Sequence, residues 1–175
     1  MKNKKLDNLQ YRSLICFVYI YCHLHINMKK EDFNQTLPAL HRRILLHLTS
    51  PEPFEILHNY VKSSANGDMY NMVQFQNGED IIDISIVYHE IFEMPVLYFK
   101  VNGSLDYPGP YGDLEIHPLL DVPYLMCHPC ESELFLANIA DKKTLYYLTG
   151  WFGIHLQLLF PDLQLRVPSL EDEDD

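Results

Sequence analysis

The sequence is poor in basic residues and in cysteine. It has 13 Lys and Arg against 24 Asp and Glu, which gives a formal net charge of −11 at pH 7. Because nucleic-acid binding requires a basic face for the phosphates, this charge argues against nucleic acid as the main partner. The 4 cysteines, at positions 16, 22, 127 and 130, are too few and too unevenly spaced for a disulfide-stapled secreted scaffold. We therefore expect a reducing compartment, the cytoplasm.

No apolar run reaches the roughly 20 residues that a membrane-spanning helix requires. The nearest is Leu14–Cys22, which follows Lys2, Lys4 and Lys5 and superficially resembles a signal peptide. No small-x-small cleavage pattern comes after it, and we favour a buried strand or helix for this run. The remaining alternative is that Met28 is the true start and that the preceding residues are dispensable.

Length and composition indicate one soluble globular domain. The chain has 175 residues and a mass of 20.6 kDa, with 47% apolar and 21% charged residues, as is usual for single domains. Basic residues concentrate near the N-terminus, and the last five residues are all acidic. We predict an N-terminal extension of uncertain role at residues 1–30, one domain at residues 31–168 and a disordered acidic tail at residues 169–175.

Helical spacing of apolar residues occurs on both sides of a β-rich centre. Residues 36–48 show it first, with Thr36 as N-cap and Pro38 in the first turn. Residues 54–61, with Phe54, Leu57 and Val61, indicate one or two further helical turns. The other predicted helices are a short one at 134–139 and a longer one at 144–160.

The centre of the chain alternates apolar and polar residues, as strands do. Asn77-Gly78 predicts a hairpin turn because both residues tolerate positive φ. Residues 62–68 are predicted to be a linker and residues 102–113 a Gly/Pro-rich loop. The predicted strands are 70–76, 80–89, 96–101 and 122–127. This order predicts an α+β fold, an antiparallel four-strand meander covered on one face by helices.

The residues that offer chemistry lie in the stretch Met126–Glu131. Cys127-x-x-Cys130 has the spacing of a dithiol redox centre, but only helical sequence follows it, whereas thioredoxin-like domains continue with strands. The same pair would be half of a zinc site, and Cys16, Cys22, His23 and His25 are the residues available to complete it.

A third interpretation is a single nucleophilic thiol at Cys130. A turn between a strand and a helix can place this thiol near a helix N-terminus, which favours the thiolate. His128 could orient groups or carry a proton beside it. Against all three stands the simpler reading that both cysteines are buried and pack as small apolar side chains.

Four stretches in order resemble the autophagy-related protein ten family, whose members are ubiquitin-conjugating-enzyme-like proteins. Together they extend over roughly residues 80–168, about half of the chain. The stretches are Val87–Lys100 (VYHEIFEMPVLYFK), Glu115–Leu120 (EIHPLL), His128–Cys130 (HPC) and Tyr147–Phe152 (YLTGWF). HPC matches the active-site motif of that family, and Phe92 stands where its members often have tyrosine.

The resemblance implies a ubiquitin-conjugating-enzyme-like fold and a transfer reaction. Cys130 would be the thioester nucleophile, with His128 and Tyr88 as supporting residues, and Cys127 would be structural. The modifier would be autophagy-related protein twelve, received from the activating enzyme, autophagy-related protein seven, and passed to a lysine of autophagy-related protein five. The reaction requires no metal or organic cofactor.

Two alternatives remain open. The sister autophagy-related protein three family also uses an HPC cysteine and attaches a related modifier to phosphatidylethanolamine, but its members are much longer, with an insertion that is missing here. The chain could also be a catalytically silent binding module of the same fold. Formation of a thioester on Cys130 distinguishes the enzymes from the binding module.

Overall fold

The computed structural model of the chain describes residues 28–107, 112–127 and 144–166. These residues contain two long helices, α1 (Lys30–His47) and α2 (Thr144–Leu159). Their strands are β1 (Leu48–Thr49), β2 (Phe54–Ser63), β3 (Met69–Asn77), β4 (Asp80–His89), β5 (Met94–Val101), β6 (Asp113–Ile116), β7 (Pro123–Cys127) and β8 (Gln164–Leu165).

Six of the strands form one antiparallel sheet in the order β2-β3-β4-β5-β7-β6. Strands β2 to β5 are an up-and-down meander, and β7 and β6 extend the sheet on the β5 side. The short strands β1 and β8 pair separately. The α+β class predicted from the sequence is confirmed, but the sheet has six strands rather than four.

Helix α1 begins earlier than predicted, at Lys30. Phe33 is fully buried and opens the apolar stripe of the helix, and acidic residues occupy the first turn, where the helix dipole favours them. Thr36 is therefore not the N-cap. Its Oγ1 donates to the carbonyl oxygen of Asp32 at 2.7 Å, within the helix. Pro38 likewise lies inside the helix rather than in its first turn.

Residues 54–61 form a strand, not the predicted helical turns. Strand β2 pairs with β3 along its whole length, with a shift in register between Ile56 and His58. The extra residue of this β-bulge changes which side chains point towards the core. Phe54 before the bulge and Val61 after it both pack against the core. The bulge breaks the alternation of the strand, so that its apolar residues have a spacing that resembles a helix.

Two predicted connections contain parts of strands. Residues 62–68 are not a linker, because β2 continues to Ser63 and residues 64–68 form the turn into β3. Strand β6 begins at the end of the predicted loop 102–113 and was not predicted. The predicted hairpin turn is confirmed at Gly78, whose φ of +62° lies in the left-handed region that glycine adopts freely.

The two helices cover one face of the sheet, as predicted. The main core lies between the helices and this face. The alternating isoleucines of β4, Ile82, Ile84 and Ile86, point into this core and are almost completely buried. Trp151 and Phe152 of α2 belong to the same cluster. The face that packs against the helices is called the helix-side face below.

The opposite face, called the open face below, carries a second and smaller cluster. Leu119 and Leu120, in the turn between β6 and β7, pack against this cluster and shield it. Its buried members come from β3, β4, β5 and β7 and are Tyr70, Met72, Val87, Val96, Tyr98, Tyr124 and Met126.

The helix predicted at residues 144–160 is confirmed as α2. The short helix predicted at residues 134–139 and the acidic tail at residues 169–175 lie outside the described residues, as do residues 1–27 of the N-terminal extension. The division into an extension, a domain at residues 31–168 and a tail therefore stays a prediction.

Candidate active site

The predicted nucleophile, Cys130, is the third residue after the end of β7. Cys127 ends this strand and is paired with Leu97 of β5. Cys130 and His128 themselves lie outside the described residues. A chain extends by at most about 3.5 Å per residue, so Cys130 is within roughly 11 Å of Cys127. The end of the sheet at which β7 stops is therefore the described part of the candidate site.

Tyr88 lies at this same end of the sheet. It is on β4 opposite Pro95 of β5, which is two residues, roughly 7 Å of strand, from Leu97. The side chains of Tyr88 and Cys127 both pack against the helix-side core. The structure thus brings the predicted supporting residue Tyr88 near the point from which the chain leads to Cys130.

The hydroxyl of Tyr88 is bound to the backbone at the entry to helix α1. It donates to the carbonyl oxygen of Met28 at 3.0 Å, and the ring centroids of Tyr88 and Phe33 are 5.9 Å apart. Burial raises the pKa of Tyr88, and the carboxylates of Glu93 and Glu90 raise it further. The phenol is therefore protonated at neutral pH. In this geometry it anchors the residues that precede α1, and a role of Tyr88 in the chemistry stays a prediction.

A Tyr88→Phe variant is expected to lose about 1 kcal/mol of unfolding free energy, because the Met28 carbonyl loses its donor while the ring keeps its contacts. Urea denaturation followed by circular dichroism measures this loss. If the anchoring role is correct, the thioester formation predicted from the sequence should stay within about threefold of wild type in the variant. A tenfold or larger loss of activity at unchanged stability would instead place the hydroxyl in the chemistry.

Lys30 joins three segments beside Tyr88. Its Nζ forms ion pairs with Asp68 and, at 2.5 Å, with Glu90 Oε1. Lys30 begins helix α1, whereas Asp68 lies in the turn between β2 and β3 and Glu90 in the turn between β4 and β5. Hydrogen bonds to Asp68 and Glu90 raise the pKa of Lys30. Lys30 and Asp68 are partly exposed and Glu90 is exposed. Because solvent weakens such ion pairs, the cluster orients the segments more than it stabilises the fold.

His89 is a functional candidate that the sequence reasoning missed. Its ring centroid lies 4.4 Å from that of Phe92, and its Nδ1 is buried with no hydrogen-bond partner among the described residues. Burial lowers the pKa of His89, so the imidazole is neutral at pH 7. A neutral imidazole at this end of the sheet can accept a proton. The signal in the sequence was its position beside Tyr88 in the stretch that resembles the family.

Phe92 stands where members of the family that the sequence resembles often have tyrosine. Its ring packs against His89 and against the cluster on the open face. It offers no hydroxyl, so a hydroxyl role at this position is either absent or supplied by Tyr88. The Tyr88 hydroxyl donates its hydrogen bond to the carbonyl oxygen of Met28, and this contact does not favour a chemical role for Tyr88 in place of the missing tyrosine.

His117 fastens the turn between β6 and β7 to the open face. Its Nδ1 accepts from the backbone N–H groups of Leu119 and Leu120, at 3.2 Å each. The hydrogen of the neutral ring is therefore on Nε2, which donates to Ser85 Oγ at 2.9 Å. Ser85 in turn donates to the carbonyl oxygen of Asn71 at 2.7 Å. Burial lowers the pKa of His117 to about 4, and this relay depends on the neutral form.

The thiol of Cys127 is buried. It is 1% exposed and belongs to the helix-side core. Thiol–disulfide exchange requires an accessible sulfur. This position does not favour the dithiol redox interpretation, and it fits the structural role that we predict for Cys127.

Neither a metal-ion cluster nor a membrane-spanning helix occurs among the residues that the structure describes. Among residues 28–107, 112–127 and 144–166, no three or more His, Cys, Asp or Glu side chains are grouped so that they could hold a metal ion. Neither described helix combines the length and the apolar character that crossing a membrane requires.

Comparison with known proteins reveals a distant relative. No protein-family model matches the chain. The chain is 27% identical over an alignment of 133 residues to the ubiquitin-like-conjugating enzyme ATG10 of Candida albicans, and the match covers 65% of the present chain and 75% of that protein. Together with the antiparallel sheet and its two helices, the match confirms the predicted ubiquitin-conjugating-enzyme-like fold.

Proposed function

Because the chain is a distant relative of the autophagy-related protein ten family, as its motifs predicted, we propose that it is a conjugating enzyme for a ubiquitin-like modifier in autophagy. The proposal rests on the similarity over 133 residues to the ubiquitin-like-conjugating enzyme ATG10 of Candida albicans. In its specific form, the modifier is autophagy-related protein twelve and the acceptor is a lysine of autophagy-related protein five. The activating enzyme, autophagy-related protein seven, is the third partner, and the reaction takes place in the cytoplasm.

The proposed chemistry consists of two acyl transfers at Cys130. First, the Cys130 thiolate attacks the carbonyl carbon of the thioester that joins the modifier to the activating enzyme. The cysteine thiolate of the activating enzyme leaves, and the modifier is now held by Cys130. The neutral amine of the acceptor lysine then attacks the same carbon, the Cys130 thiolate leaves, and an isopeptide bond forms as the nitrogen loses a proton.

Three described residues at the end of the sheet where β7 stops support this proposal. The β5–β7 register keeps Cys127 fixed in the core, three residues before Cys130. Tyr88, which is held by Met28, and His89, which is neutral, lie at the end of β4, on the same end of the sheet as Cys127. We propose His89, as a neutral imidazole, as a candidate to accept the proton that the lysine loses. His128 keeps its proposed supporting role beside the nucleophile.

A charging assay tests the proposal. The protein is incubated with the activating enzyme, ATP and autophagy-related protein twelve, and the products are separated with and without reducing agent. We expect an adduct of one modifier per chain that disappears on reduction, because thiols cleave thioesters. A reaction in which a control conjugating enzyme is charged normally and this protein forms no adduct would contradict the enzymatic function and favour a silent binding module.

The same assay separates the two conjugating families. It is repeated with the modifier that the autophagy-related protein three family attaches to phosphatidylethanolamine, followed by vesicles containing that lipid. We expect charging with autophagy-related protein twelve to be the faster reaction and no lipid-linked product to form. Preferential charging with the other modifier, followed by transfer to the lipid, would assign the chain to the sister activity.

A further inference from the structure

Strand β6 leaves one edge of the sheet without a partner in the part of the chain that the structure describes. It stands last in the strand order and pairs with β7 on its inner side only. All residues of β6 are exposed. An edge strand presents unpaired backbone N–H and C=O groups, which can hydrogen bond to another extended segment.

The register shows which backbone groups of β6 face outwards. The N–H of His117 donates to the carbonyl oxygen of Val122 at 2.9 Å, so this pair of residues is hydrogen bonded across the hairpin. In an antiparallel ladder, bonded pairs alternate with non-bonded pairs. Leu114 and Ile116 therefore belong to non-bonded pairs, and their N–H and C=O groups point away from β7 towards the outer edge.

The side chains of β6 indicate the chemistry of a segment that would bind there. Leu114 is 63% exposed and Ile116 is 55% exposed, and both lie on the helix-side face, as shown by the pairing of Leu114 with buried Leu125. Asp113 and Glu115 alternate with them on the open face. The exposed apolar pair can pack against apolar side chains of an added strand, and the acidic pair attracts basic ones.

We propose that β6 is a docking strand for an extended segment of a partner protein in which apolar residues alternate with lysine or arginine. Main-chain hydrogen bonds from Leu114 and Ile116 provide the attachment, and the side chains select the sequence. A second copy of this chain fits less well: two-fold pairing of two β6 strands centred on Leu114 places Asp113 of one copy opposite Glu115 of the other, and pairing centred on Glu115 places Glu115 opposite Glu115. The proposal does not depend on the chemistry at Cys130.

A peptide titration tests the docking strand. The probe is a seven-residue peptide of alternating valine and lysine with blocked termini, added to the ¹⁵N-labelled full chain. We expect chemical-shift changes centred on the amides of Leu114 and Ile116. A Leu114→Pro variant removes one outward N–H without breaking the ladder to β7, because proline is tolerated where the N–H faces solvent. It should weaken peptide binding about tenfold.

Further variants separate the contribution of the Leu114 N–H from that of the side chains of β6. Leu114→Val retains the N–H and an apolar side chain, and we expect its Kd to stay within about threefold of wild type. Exchanging both Asp113 and Glu115 for lysine should turn the preference towards a valine–glutamate peptide. Spectra with unchanged signals from β3 to β5 establish that each variant is folded.

Three outcomes would overturn the proposal. The first is equal binding of the peptide by the Leu114→Pro and Leu114→Val variants, and the second is equal binding of acidic and basic peptides by the wild type. The third is a concentration-dependent dimer in sedimentation analysis that Leu114→Pro abolishes, which would assign the edge to a second copy of the chain.

Discussion

Replacing Cys130 by serine is expected to reduce transfer of the modifier to the acceptor lysine by about a thousandfold or more, because the nucleophile of the first acyl transfer is also the leaving group of the second. The variant should instead retain the modifier as an oxyester, since a serine oxygen is a far poorer leaving group than a thiolate. This adduct would survive reducing agent, whereas the wild-type adduct would not. Single-turnover reactions with a pre-charged activating enzyme measure both effects.

Cys127→Ser is the matched control for this experiment. Cys127 is three residues away and its thiol is buried in the helix-side core. We expect the Cys127→Ser variant to transfer the modifier at a rate within about threefold of wild type, with a loss of stability of about 1–3 kcal/mol from burial of a hydroxyl. Equal loss of activity in both variants would instead favour a mechanism that uses the cysteines as a pair.

Acidification is expected to produce the second large effect, a loss of stability that begins near pH 6.5. Burial lowers the pKa of His117 and of His155 to about 4 in the folded protein, whereas an unfolded chain has the ordinary value near 6.5. Between these values the unfolded state binds more protons, so falling pH favours unfolding. The contribution of each histidine is complete above pH 6.5 and is lost as the pH falls to about 4. Each loss amounts to roughly 3 kcal/mol.

A His155→Leu variant tests the origin of this acid sensitivity. His155 is fully buried on α2, where its Nδ1 lies 2.8 Å from the carbonyl oxygen of Trp151 and its Nε2 has no partner among the described residues. Leucine removes the titrating group and retains most of the volume, so stability at pH 7 should change by about 1 kcal/mol or less. The slope of unfolding free energy against pH between 4 and 6.5 measures how many protons are taken up on unfolding, and this number should fall by about one.

Urea denaturation at several pH values gives this slope for wild type and variant. His117→Gln should also reduce the slope by about one proton, but at a cost in stability at pH 7, because the two backbone N–H groups of Leu119 and Leu120 lose their acceptor. A wild-type stability that is constant from pH 7 to pH 4.5 would contradict the assignment of both histidines as buried and neutral.

The strands in which apolar and polar residues alternate regularly were predictable from the sequence, and the strands without that alternation were not. Ile82, Ile84 and Ile86 mark β4 because every second residue faces the helices. Strand β2 was mistaken for a helix because its bulge near Ile56 interrupts that period. Strand β6 was missed because all of its residues are exposed and no buried face directs its composition.

In the candidate site, too, features that depend on neighbouring residues in the sequence were predictable, and contacts between residues far apart in the chain were not. Tyr88 was identified from the sequence stretch around it, and its place at the end of β4 follows from the alternation of that strand. Its bond to Met28 joins residues far apart in the chain, and no periodicity predicts such a contact. The burial of His117 among Tyr70, Tyr98 and Tyr124 likewise depends on how β3, β5 and β7 lie side by side.

The most direct test of the central claim is mass spectrometry of the charged protein. After reaction with the activating enzyme, ATP and autophagy-related protein twelve, the adduct is digested at low pH, which preserves thioesters, and the linked peptides are sequenced. We predict that the C-terminal glycine of the modifier is joined to the sulfur of Cys130. Attachment at Cys127, at Cys16 or Cys22, or at a lysine, with none at Cys130, would contradict the account.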